Sequence, residues 1–197
     1  LTEAVESGMV REIGISEWTN EQIEAALEVQ GTAKLVSSQP QYNMIWRAPE
    51  AELFPLCSAN GIGNIVWSPL AQGVLTGKYE PGREPPEDSR AASDEMSFAI
   101  DRYMDDAVLS AVQRLRPVAD EAGLTMVQMA LAWVLRRDEV SSAIVGASRP
   151  EQLDQNVAAS GVRLSDDTLA AIDDVLAGVV VKGPRLAGFA RDGVRHR

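Results

Sequence analysis

Four short apolar runs alternate with amphipathic stretches along this chain, and that alternation leaves few folds open. Residues 10–15, 34–39, 62–67 and 142–145 read as strands. Between them the apolar residues recur at helical spacing. One helix starts at a capping-box pattern, Thr19 and Gln22, and stops at Gly31. Others are expected over residues 49–60, with Pro55 marking a first turn or a kink, and over 105–122 despite Pro117. Residues 125–137, 151–160 and 165–178 complete the set. Residues 1–8 read as the last turns of a helix closed by Gly8. Strands separated by helices pair in parallel, so the pattern implies a βα-type parallel sheet.

In such folds the ligand lies at the C-terminal ends of the strands. Each strand here ends in polar, small or aromatic residues. Gly14-Ile15-Ser16 ends the first and Gln39-Pro40-Gln41-Tyr42-Asn43 the second. Trp67-Ser68-Pro69-Leu70-Ala71-Gln72 ends the third and Gly146-Ala147-Ser148 the fourth. Ser16 and Gln39 can hydrogen-bond a carboxamide held in plane. Trp67 offers a flat ring for stacking. Backbone groups from Ser68 to Gln72, with Lys78, can cradle a pyrophosphate. The helix start near Pro150 offers free N–H groups and a positive dipole end to a second phosphate, beside Ser148, Arg149 and Gln152.

The wording from Trp67 to Tyr79, W-S-P-L-A-Q-G-V-L-T-G-K-Y, resembles the seventh strand and following loop of the aldo-keto reductases. It is most similar to the branch that includes the potassium-channel β subunits. The resemblance covers residues 1–178 and implies a TIM (β/α)8 barrel. The chain then carries roughly its C-terminal half, strands five to eight and trailing helices, followed by an irregular tail over 179–197. The expected ligand is NADP(H), with NAD(H) as the alternative. By the resemblance, Ser16, Gln39 and Trp67 hold the nicotinamide. Ser68, Pro69, Leu70, Ala71, Gln72 and Lys78 hold the pyrophosphate, and Arg90 belongs to the loop folding over it. Gly146, Ser148, Gln152, Gln155 and Asn156 surround the adenosine and its 2′-phosphate, and Arg149 at the same helix start is expected to contribute charge there. Two positions depart from the family pattern. Glu17 stands where Asn or Arg is usual, and Gln152 where many relatives carry an arginine for the 2′-phosphate.

At 197 residues the chain is shorter than a whole barrel of about 250. A net charge of −11 argues against a nucleic-acid or anionic-membrane surface. The lone Cys57 excludes an intrachain disulfide and a cysteine metal cluster. No segment reads as a membrane span, so a cytoplasmic setting is expected, with a small carbonyl substrate as partner and a homo-oligomer left open. Carbonyl reduction needs a proton donor. The family's tyrosine, lysine, aspartate and histidine set belongs upstream of Leu1, so no catalytic residue is assigned here and the chain alone is expected to be inactive. Tyr42 is placed in the cofactor-side motif, and the only histidine, His196, is read as incidental. The alternatives are a nucleotide-sensing subunit resembling the potassium-channel β subunits, and a phosphate-binding barrel of isomerase type. The sheet face toward the barrel interior is expected to be rich in Ile, Val and Trp.

Overall fold

A computed structural model describes residues 1–87, 89–92 and 100–183. His196 and most of the 179–197 tail lie outside the described residues. The chain runs α1 (Thr2–Glu6), β1 (Ile13–Ser16), α2 (Asn20–Leu27), β2 (Leu35–Gln39), α3 (Leu53–Ala59) and β3 (Gly63–Val66). It continues through α4 (Asp106–Glu121), α5 (Met126–Leu135), β4 (Val140–Ala143), α6 (Pro150–Val157) and α7 (Asp166–Leu176). The four strands form one parallel sheet in the order β1-β2-β3-β4. This is the parallel α/β sheet that the alternation predicts.

Local chemistry sets the helix starts. Thr19 and Gln22 close a capping box on α2, and Thr125 and Gln128 close another on α5. Pro55 falls in the first turn of α3, where its missing N–H costs nothing. The first strand begins later than the apolar pattern predicts. The Val10 N–H turns back to the Ala4 carbonyl at 3.2 Å and helps close α1, and Met9 is 81% exposed. The last strand lies earlier, at Val140–Ala143, although the Ile144 N–H still reaches the Val66 carbonyl at 2.8 Å.

Two apolar clusters pack the helices against the sheet. The smaller holds Ile15, Ile23, Leu35, Cys57 and Ile62. Burial pushes the Cys57 thiol pKa up, partly offset by a hydrogen bond from Ser38. The larger centres on Tyr42, Phe54, Leu115, Met129 and Trp133. Tyr42 meets Phe54 edge-on at 5.0 Å between centroids. Arg136 and Arg47 lie 3.7 and 4.5 Å from the centroid of the Trp133 ring. Arg47 also pairs with Asp173 of α7 at 2.6 Å. Beyond α7 the chain stays tied in as far as Val181, which exchanges hydrogen bonds at 2.8 Å with the Ile45 carbonyl and the Arg47 N–H.

The opposite face of β1 and β2 corrects an expectation. Gly14 pairs with Ser37 and Ser16 with Gln39, and Gly63 of β3 pairs with Ser37. On β1 and β2 these are small and polar residues, and the apolar part of this face is confined to Ile65 and Trp67 along β3 and its extension. A Cβ at Gly14 would stand 2.9 Å from the Ser37 carbonyl oxygen, so the strands approach more closely than a side chain allows.

Candidate active site

Non-glycine residues with positive φ are uncommon, and each costs about 1–2 kcal/mol. Among the described residues there are four: Glu17 (56°), Ser68 (53°), Ala71 (48°) and Gln72 (59°). One follows β1 and three follow β3, all on the C-terminal rim of the sheet. Strained backbone kept at one end of a parallel sheet is a mark of a functional edge.

The rim is built around Glu17. One carboxylate oxygen, Oε1, accepts the Trp67 indole N–H at 2.8 Å and the Gln41 backbone N–H at 2.7 Å. The ring is thereby fixed at the mouth of the sheet, half-buried, with its backbone bridged to Gln41. Beside it the Ser16 hydroxyl donates to the Gln39 carbonyl at 3.0 Å. Ser16, Gln39 and Trp67 therefore stand on three neighbouring strands. Glu17 joins them as a residue that the reading by resemblance left outside the site. Its adjacency to Ser16 and its departure from the usual Asn or Arg are the signals the sequence carries.

Below Trp67 the chain coils through a 3-10 segment, Ala71–Thr76, that is broken by the left-handed Gln72 and by Gly73. The Gln72 amide donates to the Ser68 hydroxyl, and Arg90 donates to the Gln72 side-chain oxygen. Asn43 braces the turn. Its amide donates to the Ser68 carbonyl at 3.0 Å and to the Tyr103 hydroxyl at 3.1 Å, while its oxygen accepts the Ile45 and Trp46 N–H groups. Pro69 and Ala71 are buried, and Leu70 packs against the core. These three can face a ligand only through their backbone. The Ala71 N–H is already spent on the Ser68 carbonyl at 3.0 Å. Lys78 lies across the same turn. Its Nζ sits 5.2 Å from the Tyr79 ring centroid and 3.8 Å from where a Gly73 Cβ would be.

A second cluster lies past β4. The Gln152 side-chain oxygen accepts both the Ser148 N–H, at 2.8 Å, and the Ser148 hydroxyl, at 3.1 Å. Gln152 thus keeps its amide as a donor. Arg149 is the exposed N-cap of α6. Gly146 and Gln155 are exposed, and the Asn156 amide nitrogen is buried without a partner. No hydrogen bond joins this cluster to Trp67 or Ser68 among the described residues.

The chain's three tyrosines are buried. Tyr42, expected on the cofactor side, is instead in the core, where its hydroxyl donates to Glu50 at 2.5 Å. Desolvation raises its pKa well above the ordinary phenol range. Tyr103 is raised likewise, chiefly by burial, while its hydroxyl accepts from Gln41 and Asn43. Among the described residues no acidic or thiol cluster could hold a metal, and no single helix is long and apolar enough to cross a membrane.

Residues 1–177 match the profile of the Aldo/keto reductase family. The chain belongs to that family. It is 44% identical over 153 residues to a probable voltage-gated potassium channel subunit beta of Arabidopsis thaliana, covering 76% of this chain and 46% of that protein. It is 37% identical over 183 residues to L-glyceraldehyde 3-phosphate reductase of Escherichia coli K12, covering 90% and 52%. Its fold superimposes on the glycerol dehydrogenase of Gluconobacter oxydans with a TM-score of 0.74 and 26% identity, covering 91% of this chain and 53% of that one. The chain spans about half the length of these aldo-keto reductase relatives. The four-stranded sheet is accordingly about half of a TIM barrel, and the family supports an oxidoreductase.

Proposed function

We propose that this chain forms the dinucleotide-binding side of an NADP(H)-dependent oxidoreductase that reduces aldehydes or ketones to alcohols. The observation carrying this reading is the fixed Trp67 ring beside the left-handed turn of Ser68, Ala71 and Gln72. A flat ring next to an anion-holding turn fits the two ends of a nicotinamide mononucleotide half. Ser16 and Gln39 would hold the carboxamide. Ser68–Gln72 and Lys78 would hold the pyrophosphate, with Arg90 closing over it. Gly146, Ser148, Arg149, Gln152, Gln155 and Asn156 would take the adenosine and its 2′-phosphate; the unpartnered Asn156 amide is a ready donor there. When bound, the reduced cofactor supplies the hydride for the carbonyl carbon.

A proton must still reach the nascent alkoxide. Tyr42, Tyr79 and Tyr103 are buried in the core, out of reach of a carbonyl at the rim, so none is assigned that role. In this reading the acid belongs to the rest of the barrel. The test is titration of the intact protein with NADPH, followed by tryptophan quenching, alongside Trp67→Ala. Stacking is worth about 0.5–1.5 kcal/mol beyond area burial, so the variant should bind about two- to tenfold more weakly. Failure to bind either nicotinamide dinucleotide would overturn the reading and favour a phosphate barrel of another chemistry.

The similarity to the Arabidopsis potassium channel β subunit favours a second reading, a nucleotide-sensing regulatory subunit. Co-purification with a membrane channel would support it. Turnover of an aldehyde panel by the intact protein would support the reductase.

A further inference from the structure

We propose that Glu17 biases this site toward the oxidised, cationic nicotinamide. The proposal rests on the dinucleotide reading above and concerns which redox form the site prefers. The two forms differ at the ring: the oxidised pyridinium carries a positive charge and the dihydropyridine carries none. A ring stacked on Trp67 lies beside whatever charge is anchored to that indole. Here the anchor is a carboxylate. Its Oε1 holds the Trp67 N–H at 2.8 Å, and the same oxygen holds the Gln41 backbone N–H at 2.7 Å.

The placement is built in. Glu17 takes a left-handed φ of 56°, a conformation that an acidic side chain with no local role would not favour. The two N–H donors come from different segments, one from the second strand's extension and one from the third's. The carboxylate is therefore tied to the mouth of the sheet. Its second oxygen, Oε2, has no hydrogen-bond partner among the described residues and completes a negative edge next to the stacking surface.

Other charges near the rim do not cancel it at the ring. Lys78 lies against Gly73 and Tyr79, and Arg90 is held by Gln72; both belong to the proposed phosphate-binding turn. Arg102 reaches Gln41 through its side-chain oxygen, at 3.1 Å, and lies 5.5 Å from the Trp46 ring. It shares the Gln41 side of the Glu17 network and moderates the bias. A single carboxylate beside a unit charge in a partly solvated cleft should shift relative affinity by about three- to tenfold.

The experiment compares dissociation constants of NADP⁺ and NADPH for the intact protein and two variants, by tryptophan quenching and by calorimetry. Glu17→Gln keeps an acceptor for both N–H groups and removes the charge. Glu17→Asn also removes the charge and suits the left-handed backbone, so it tests the charge without adding backbone strain. Both should lose about three- to tenfold in preference for the oxidised form. Trp67→Phe, which keeps a ring and the carboxylate but loses the indole N–H, should retain more of the preference than either. An unchanged ratio in a variant that still binds both forms overturns the role of Glu17 and leaves the dinucleotide reading standing. Wild-type protein that binds neither form overturns both.

Discussion

Arg90 donates from its guanidinium to the side-chain oxygen of Gln72. The bond pins the long connection after β3 onto the turn proposed to hold pyrophosphate. Gln72 cannot easily move, because its amide is also bonded to Ser68 and its φ is 59°. Arg90→Ala should therefore release the connection without unfolding the turn. NADPH should dissociate up to about tenfold faster, the equivalent of about 1.4 kcal/mol and at the low end for a charge-assisted hydrogen bond, since Arg90 is exposed. Stopped-flow displacement checks this; an unaltered off-rate would show that the connection does not gate the ligand.

Two strand glycines on the same face should respond differently to an added methyl group. At Gly14 the new Cβ meets the Ser37 carbonyl oxygen at 2.9 Å, an atom fixed in the ladder between β1 and β2. Gly14→Ala should cost about 1–3 kcal/mol. At Gly63 the close atom is the Ser141 hydroxyl at 2.6 Å, and the next atoms are at 3.6 and 3.8 Å. Ser141 is exposed and can change rotamer, so Gly63→Ala should cost less than about 1 kcal/mol. Urea unfolding of both variants ranks them, and equal losses would contradict the account.

The reasons for legibility differ from element to element. Caps such as Thr19 with Gln22 and Thr125 with Gln128 are local, so the sequence states them outright. The four strands are legible because their apolar runs are separated by helices. Their bounds are not, because Val10 looks like a strand residue until its N–H is seen closing α1. The motif after β2 points to the rim, but pattern alone cannot say which way each side chain turns. Tyr42 turns into the core and Asn43 under the Ser68 turn, and neither is in position to be a ligand contact. The role of Glu17 depends on a residue fifty positions away, Trp67, and no local rule pairs them.

Alkaline pH should expose the buried phenols. Burial raises the folded-state pKa of Tyr42 and Tyr103 above the unfolded value near 10. Below pH ~10 both states are protonated and the contribution is constant. Above it the unfolded chain ionises first and the folded state binds more protons, so stability falls as pH rises. Each phenol adds up to about 1.4 kcal/mol per pH unit to that decline. Tyr42→Phe should flatten the slope of stability against pH above 10, whatever it does to stability at neutral pH. Denaturant melts between pH 8 and 11 measure it, and a slope identical to wild type would show that Tyr42 ionises as freely when folded.

Selectivity for the 2′-phosphate should be carried by the turn into α6. Gln152, at a position where an arginine would serve as a direct cation, has turned its oxygen inward to accept from Ser148 twice. Its remaining amide is a neutral donor. The positive charge at this end is Arg149, which is exposed as the N-cap and has no side-chain capping bond to break. A 2′-phosphate carries about two negative charges and would draw on Arg149 and on the Glu151 N–H in the first turn of α6, since Pro150 has no N–H and the Gln152 N–H is bonded to the Arg149 carbonyl at 3.1 Å. Arg149→Ala should lower affinity for NADPH by about three- to tenfold and leave NADH nearly unchanged. Gln152→Arg should widen the preference, but only after giving up the two Ser148 hydrogen bonds, so its gain should be smaller than a free arginine would bring. Calorimetric titration of both dinucleotides decides the matter. A preference ratio that does not move in Arg149→Ala would assign that guanidinium to solvent and place discrimination on Ser148 and the backbone of α6.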